Sequence, residues 1–209
     1  TISIAILLGL FVKMQTIQPQ DIDYDSDPYS KIQYIDDIRK VINTIKGGSE
    51  KKIASLVKYP LAMSYPVPDI NNEKEFIERF DEVFDEAILE KIASSSTDDW
   101  NTVGWRGIMF DNGMVWIDYD GLIKAVNYQS EKEKQIQKEL IEKEREKLHI
   151  SVQEFMHPLH HVYIDNDIVR VDKMPDDSFR LVIWKDKDVT QQPDLVISNG
   201  VIEFHGSGG

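Results

Sequence analysis

Residues 105–127 read WRGIMFDNGMVWIDYDGLIKAVN, three short strands joined by two tight turns. Asn112-Gly113 and Asp120-Gly121 tolerate positive φ at both central positions, so each suits the type I′ turn whose twist matches a β-hairpin. With Asn112 and Gly113 as the loop, Asp111 pairs with Met114, Phe110 with Val115, Met109 with Trp116, Ile108 with Ile117 and Gly107 with Asp118. The second turn pairs Tyr119 with Leu122, Asp118 with Ile123 and Trp116 with Ala125. Side chains alternate along a strand, which sends Ile108, Phe110, Val115, Ile117, Leu122 and Val126 to one face. Trp105, Gly107, Met109, Trp116, Asp118, Ile123 and Ala125 take the other. Both faces are largely apolar, so both are expected to be covered: by helices on one side, and by a pocket, another sheet or a second subunit on the other.

Upstream, helices are well punctuated. Ser30 with Gln33 caps a helix whose Ile35, Ile38, Ile42 and Ile45 recur at spacings of three and four, and Gly47-Gly48 ends it. A short second helix runs from Ser49 to Lys58 and stops before Tyr59-Pro60-Leu61. An extended strand-like piece with Pro66 and Pro68 follows. Asn72 with Glu75 then caps a third helix, whose Phe76, Phe80, Val83, Phe84 and Ala87 form an apolar stripe continuing, straight or kinked, to about Ala93.

Tyr59-Pro60-Leu61, the helical Phe76-Ile77 and Phe80-Asp81, Gly104-Trp105-Arg106-Gly107-Ile108-Met109, Asn112-Gly113 with Trp116-Ile117, and Ile123 with Val126-Asn127 form a recurring set. In this order they resemble a group of exported, mostly uncharacterised bacterial proteins with a nuclear-transport-factor-2-like fold. The resemblance covers about residues 30–128. It implies an α+β, NTF2-like (cystatin-like) cone, in which a curved antiparallel sheet wraps helices and often leaves a pocket at its open end. Such folds host isomerases, dehydratases and many non-enzymatic binding modules, so fold does not give function. No family-wide catalytic residue is carried over.

The chain has 209 residues, 41% hydrophobic and 10% aromatic, enough for one sizeable core or two small ones. Its net charge is −13, from 24 Lys and Arg against 37 Asp and Glu, with no basic run interleaved with aromatics. Binding to nucleic acid or an anionic membrane is therefore disfavoured, and a basic partner is permitted. The absence of Cys removes disulfides, thiolate nucleophiles and zinc-thiolate sites. Ile2 to Val12 is apolar except for Ser3 and Gly9, too short to span a bilayer but the length of a secretory hydrophobic region. It points to a periplasmic or secreted protein, or to a cytoplasmic one if the run is a buried helix or strand. Residues 1–29 thus read as a signal-peptide remnant and polar tether, without stable membrane insertion.

Past Tyr128 the composition changes. Residues 129–156 read as a solvated connecting helix, with Ser130 and Glu133 as a capping box and Glu131/Lys134, Glu139/Lys143 and Glu144/Lys147 as ion pairs. Residues 157–209 read as a small all-β module with strands at His161 to Ile164, Ile168 to Val171, Phe179 to Trp184, Leu195 to Ser198 and Val201 to His205. Asp165-Asn166-Asp167 and Ser198-Asn199-Gly200 are its expected turns. Gly206-Ser207-Gly208-Gly209 is either a tail or, as the resemblance favours, a turn within a longer β domain.

Chemical signals are sparse. His157-x-x-His160-His161 lacks helical spacing because of Pro158, and Asp21, Asp23, Asp25 and Asp27 lack the Gly and Glu of a calcium loop, so no metal is expected. Nucleotide-binding and serine-hydrolase motifs are absent, and no cofactor is implied. The sharpest candidate is Asp118, opposite Gly107 and flanked by Trp105, Met109, Trp116 and Ile123. Desolvation there would raise its pKa toward that of a general acid or base, whereas at the rim of the turn it would bond to backbone amides. Trp105, Met109, Trp116 and Asp118 are accordingly the candidate ligand site. The leading expectation is a non-enzymatic, exported binding or interaction protein with a protein partner or small ligand, with self-association open. The alternatives are an inhibitor or immunity-type protein neutralising a basic enzyme, and a small-molecule enzyme using Asp118.

Overall fold

The computed structural model describes residues 28–201, and the expected leader, the acidic tether at Asp21 to Asp27, the strand beyond Val201 and the glycine-rich end lie outside them. A 3-10 turn at Lys31–Tyr34 leads into α1 (Ile35–Gly47), and the Ser30 side chain makes no cap. Ile38, Val41, Ile42 and Ile45 recur on one side of α1 and are all buried. The second helix, α2 (Glu50–Ala54), is shorter than its apolar pattern suggested. The tract after it forms no strand: Leu61 and Ile70 make a single bridge across the loop holding Pro66 and Pro68, residues that cannot donate to a ladder.

The expected third helix is three pieces, α3 (Glu73–Glu78), α4 (Phe80–Val83) and α5 (Glu86–Ala93). Asn72 caps α3 by accepting the Glu75 N–H at 3.0 Å. Asp85 restarts the helix as α5 by accepting the Ile88 N–H at 3.1 Å, which is why the stripe bends there. The rings of Phe76, Phe80 and Phe84 pack together with centroids 5.7–6.1 Å apart.

An antiparallel sheet follows in chain order, β1 (Trp100–Thr102), β2 (Ile108–Phe110), β3 (Val115–Ile117) and β4 (Ile123–Val126). Strand β1 extends the expected three to four and sets Trp100 opposite Phe110. The first hairpin has the register read from the sequence, Ile108 with Ile117, Met109 with Trp116 and Phe110 with Val115. Its turn has positive φ at Asn112 (56°) and Gly113 (90°), as type I′ requires, but Asp111 (45°) is also left-handed, so the ladder stops at Phe110.

The second turn differs. The Gly121 N–H donates to Asp118 O at 3.0 Å and the Asp118 N–H to Leu122 O at 2.8 Å, a three-residue loop closed by Gly121 at φ 78°. The ladder slips by one, so Ile117 faces Ile123 across a bulge. That slip moves Ile123 onto the core face, where it is fully buried beside Ile108, Phe110, Val115 and Ile117 against α1 and α5. The opposite face is not covered as the alternation implied: Trp105 is 67% exposed, and Met109, Trp116 and Ala125 are half-buried.

Helix α6 (Glu131–Lys147) then leads through a 3-10 turn at Ile150–Val152 into a second antiparallel meander, β5 (His157–Ile164), β6 (Asp167–Lys173), β7 (Phe179–Trp184) and β8 (Leu195–Gly200). The expected turn at Ser198-Asn199-Gly200 is instead a bulge within β8, with Asn199 at φ 61° and the register shifting between Phe179/Gly200 and Leu181/Ile197. A second core of Leu148, Val152, Phe155, Ile168, Val182 and Trp184 lies between this sheet, α6 and the following turn. The molecule is thus α+β, with two antiparallel sheets. Among the described residues no helix is long and apolar enough to cross a membrane.

Candidate functional site

The residues singled out from sequence do not converge. Trp105 and Trp116 line a shallow depression of about 270 Å³ with Arg106, Lys124, Ala125 and Asn127, and neither Met109 nor Asp118 contributes to it. The space that Gly107 leaves is already used: a Cβ there would lie 2.6 Å from Ile117 O and 3.3 Å from Lys124 Nζ. Asp118 sits at the start of the turn, 2.7 Å from Lys58 Nζ and 3.9 Å from Lys124 Nζ, and accepts the Tyr119 N–H at 3.0 Å. The Lys58 ammonium holds the Asp118 pKa below its ordinary value, against a smaller push from burial. This is opposite to the rise expected of a desolvated general base, and the turn geometry, which presents Asp118 to two lysines and an amide, is the reason.

A denser polar assembly lies where α6 meets the C-terminal sheet. Strand register puts Ile168, Arg170 and Asp172 of β6 and Arg180, Val182 and Trp184 of β7 on the face turned toward α6. Asp172 is fully buried and holds both arginines, with Oδ1 2.6 Å from Arg170 Nε and Oδ2 2.7 Å from Arg180 Nη2. Arg180 also donates to Val152 O at 2.7 Å. The other side of Arg170 pairs with Glu144 from α6, and its guanidinium lies over the Phe155 ring at 4.7 Å. Glu144 in turn accepts the Tyr65 hydroxyl at 3.0 Å and lies 3.5 Å from His161 Nδ1. Burial disfavours the Glu144 carboxylate, but His161, Arg170 and Tyr65 outweigh it and hold the pKa below its ordinary value. The Tyr65 hydroxyl is pushed up, mainly by burial and further by Glu144. Because that hydroxyl donates to Glu144, its lone pair faces His161 Nδ1 at 3.2 Å, which favours a proton on Nδ1. His161 Nε2, Glu144 Oε2, Arg170 Nη2 and Arg180 Nε are buried without a hydrogen-bond partner among the described residues.

Helix α6 is therefore a bracket rather than a solvated spacer. Ser130 caps it by accepting the Glu133 N–H at 3.0 Å, while the buried Glu133 carboxylate turns away to accept the Ser64 N–H at 2.9 Å. Gln137 donates to Tyr65 O at 2.7 Å. The Glu131/Lys134 ion pair forms at 2.7 Å. Glu139/Lys143 and Glu144/Lys147 do not: Glu139 accepts from Gln135, and Glu144 is drawn to Arg170.

Beside this assembly is a cleft of about 490 Å³, lined by Tyr65, Pro66, Leu140, Lys143, Glu144, Lys147, Leu148, His161, Tyr163, Ile168, Lys187 and Val189. The three histidines considered as metal ligands do not gather there. They lie on β5, where His160 and His161 are neighbours on opposite faces of the sheet. Among the described residues no cluster of three or more His, Asp or Glu is arranged to hold a metal ion.

The outer face of the C-terminal sheet is a further apolar surface. Val162, Val169, Val171, Leu181 and Ile183 are half-buried there, and Leu195 (44% exposed) and Ile197 (52%) continue the row on β8. None belongs to the second core. Among the described residues strand β8 has a sheet neighbour only at β7, and none of them pairs with its far edge. Sequence reading missed this inversion, in which charged Arg170, Asp172 and Arg180 point inward while Val162, Val169 and Val171 point outward. The available signal was their period-two spacing with complementary sign on adjacent strands. Compared with family models, curated proteins and solved structures, the chain gives no match.

Proposed function

We propose that this is a non-enzymatic interaction protein that takes a basic protein partner along the outer face and open edge of its C-terminal sheet. The observation that carries the reading is the inverted sheet: an apolar outer row from Val162 to Ile197 beside an edge of β8 that is unpaired among the described residues. Contiguous apolar surface and a free strand edge are what an added strand of a partner exploits, through main-chain hydrogen bonds and alternate side chains. Charge supports a basic occupant. Outside the buried Arg170, Asp172 and Arg180, residues 157–201 carry seven acidic groups (Asp165, Asp167, Asp176, Asp177, Asp186, Asp188 and Asp194) against Lys173, Lys185 and Lys187. If the partner is an enzyme, the protein acts as its inhibitor.

Catalysis at Asp118 has less support, because its carboxylate is held by Lys58 and the tryptophan depression does not include it. For residues 30–128 the NTF2-like cone is the fold family we propose, supported by five helices preceding an antiparallel meander with one face in the helical core. Export is the companion proposal, resting on the composition of Ile2 to Val12.

The test uses an eight-residue alternating Val-Lys peptide, its Val-Glu counterpart, and amide NMR shifts of the full chain. The Val-Lys peptide should shift the amides of Leu195 to Ile197 and those of Leu181 and Ile183, with binding weakened by salt, and Ile197→Lys should abolish the response. Equal response to both peptides, no response to either, or a concentration-dependent dimer that hides β8 would overturn the reading, the last in favour of a second copy.

A further inference from the structure

A cleft of different chemistry lies on the inner side of the same sheet, and its reading stands independently of the partner surface. We infer that the cleft between α6 and strands β5 and β6 binds a small organic anion with an apolar body. Three features build it. Its volume of about 490 Å³ falls in the range of small-molecule sites. Its apolar lining is Pro66, Leu140, Leu148, Ile168 and Val189, enough to hold a chain or ring. Lys143, Lys147 and Lys187 line the same cleft, and among the described residues none has a carboxylate partner.

The lysines are notable because the chain as a whole carries −13. Three cations gathered without counter-charge in an acidic protein oppose the average composition, and Lys143 and Lys147 are separated by one helical turn, where like charges repel. Helix-dipole complementarity accounts for Lys147 in the last turn of α6 but not for Lys187, which arrives from the connection after β7. The cleft's own acid, Glu144, is neutralised by Arg170, so three lysines remain as its net charge. His161, whose proton lies on Nδ1 toward Tyr65, turns only the lone pair of a buried Nε2 away from that bond, so the lysines and not the imidazole meet the ligand's charge. The head group is a carboxylate or a phosphate monoester, since both satisfy lysine ammoniums as point charges.

The test is isothermal titration of the full chain with decanoate, decyl phosphate, decyltrimethylammonium and inorganic phosphate, each below its micellar concentration where that applies. One of the two amphipathic anions should bind with 1:1 stoichiometry, and the tighter one identifies the head group. Decyltrimethylammonium and inorganic phosphate should bind at least about 100-fold more weakly, the first for want of charge complementarity and the second for want of an apolar body. Lys147→Gln/Lys187→Gln should weaken the anion at least ten-fold with an unchanged circular dichroism spectrum, and Lys138→Gln, outside this cleft, should not. Val189→Phe, which fills the apolar end, should weaken the anion independently of charge. The inference is overturned if the cationic detergent binds within three-fold of the anion, if neither anion binds, or if Lys138→Gln weakens binding as much as the double lysine change.

Discussion

Replacing Glu144 with Ala is expected to destabilise the protein by about 3 kcal/mol, a figure set by the charge that it strands. Arg170 and Arg180 bring two positive charges beneath the C-terminal sheet, and Asp172 and Glu144 bring two negative ones. Without Glu144 one cation is uncompensated, with Arg170 only 1% exposed. Breaking a buried pair by removing one partner costs about 3–5 kcal/mol, and the lower end applies because the Glu144 side chain is 19% exposed, so water can enter the vacated space. Urea unfolding followed by tryptophan fluorescence is the assay, since Trp100 and Trp184 are buried one in each core. With a slope of about 2 kcal/mol per molar urea, the midpoint should fall by about 1.5 M. Glu144→Ala/Arg170→Met removes the stranded cation as well, so it should be more stable than Glu144→Ala alone. The reasoning is refuted if the single change moves the midpoint by less than about 0.3 M, or if the double variant is the less stable one. A depressed folded-state pKa gives stability that is present above the unfolded value and lost as pH falls through the folded one. Acid destabilisation below about pH 4.5 should therefore be shallower in Glu144→Gln.

Three further outcomes follow from other elements. Gly107→Ala should destabilise by about 2 kcal/mol in the same urea experiment, because φ is 101° and the new methyl would meet Ile117 O at 2.6 Å; an unchanged midpoint would show that the β2 entry can relax. Asp118→Ala should cost about 1 kcal/mol through the lost turn amide bond and a solvent-screened pair, and a gain in stability would mean that the side chain is not satisfied as described. Its depressed pKa makes that contribution vanish as pH falls below about 3.8, so variant and parent should converge in acid. Asp85→Ala should cost about 1–2 kcal/mol, since it removes both the α5 cap and the acceptor for the Tyr128 hydroxyl at 2.6 Å; Tyr128, pushed up to about 12 chiefly by that bond, should then titrate at lower pH by ultraviolet absorbance.

Local chemistry explains which parts of the fold were legible. Asn112-Gly113 specified the first hairpin because its turn demands positive φ at two adjacent residues, and few dipeptides supply it. Asp120-Gly121 carried the same signal, but Asp118 and Leu122 closed a three-residue loop instead, and the resulting bulge moved Ile123 across the sheet. A one-residue choice in a turn is nearly degenerate locally and is decided by what each register buries. Leu61 and the prolines after it read as a strand only by apolar content, which does not supply ladder donors. Asp118 looked desolvated because Lys58, distant in sequence, could not be placed beside it. The inward arginines of β6 and β7 were hidden for a related reason: hydrophobic alternation assigns valines to the core unless the buried acids that neutralise the intervening charges are known.

Glu144 shows how such a choice propagates. On an isolated α6 its partner would be Lys147, in a pair worth about 0.2–0.5 kcal/mol across solvent. Folding offers Arg170 instead, a planar donor at the edge of a core, where the same Coulombic attraction is screened far less and an unpaired guanidinium would be costly. The buried partner wins by a wide margin. Lys147 is left without its helical counter-ion, facing a cleft that also receives Lys143 and Lys187. The clamp joining α6 to the C-terminal sheet and the Lys147 share of the cleft's positive charge are therefore consequences of one rotamer choice. It follows that Glu144→Ala/Arg170→Met should partly restore stability while leaving Lys143, Lys147 and Lys187 unneutralised. If the cleft binds an anion, that variant should keep its affinity within a few-fold even though the clamp is gone.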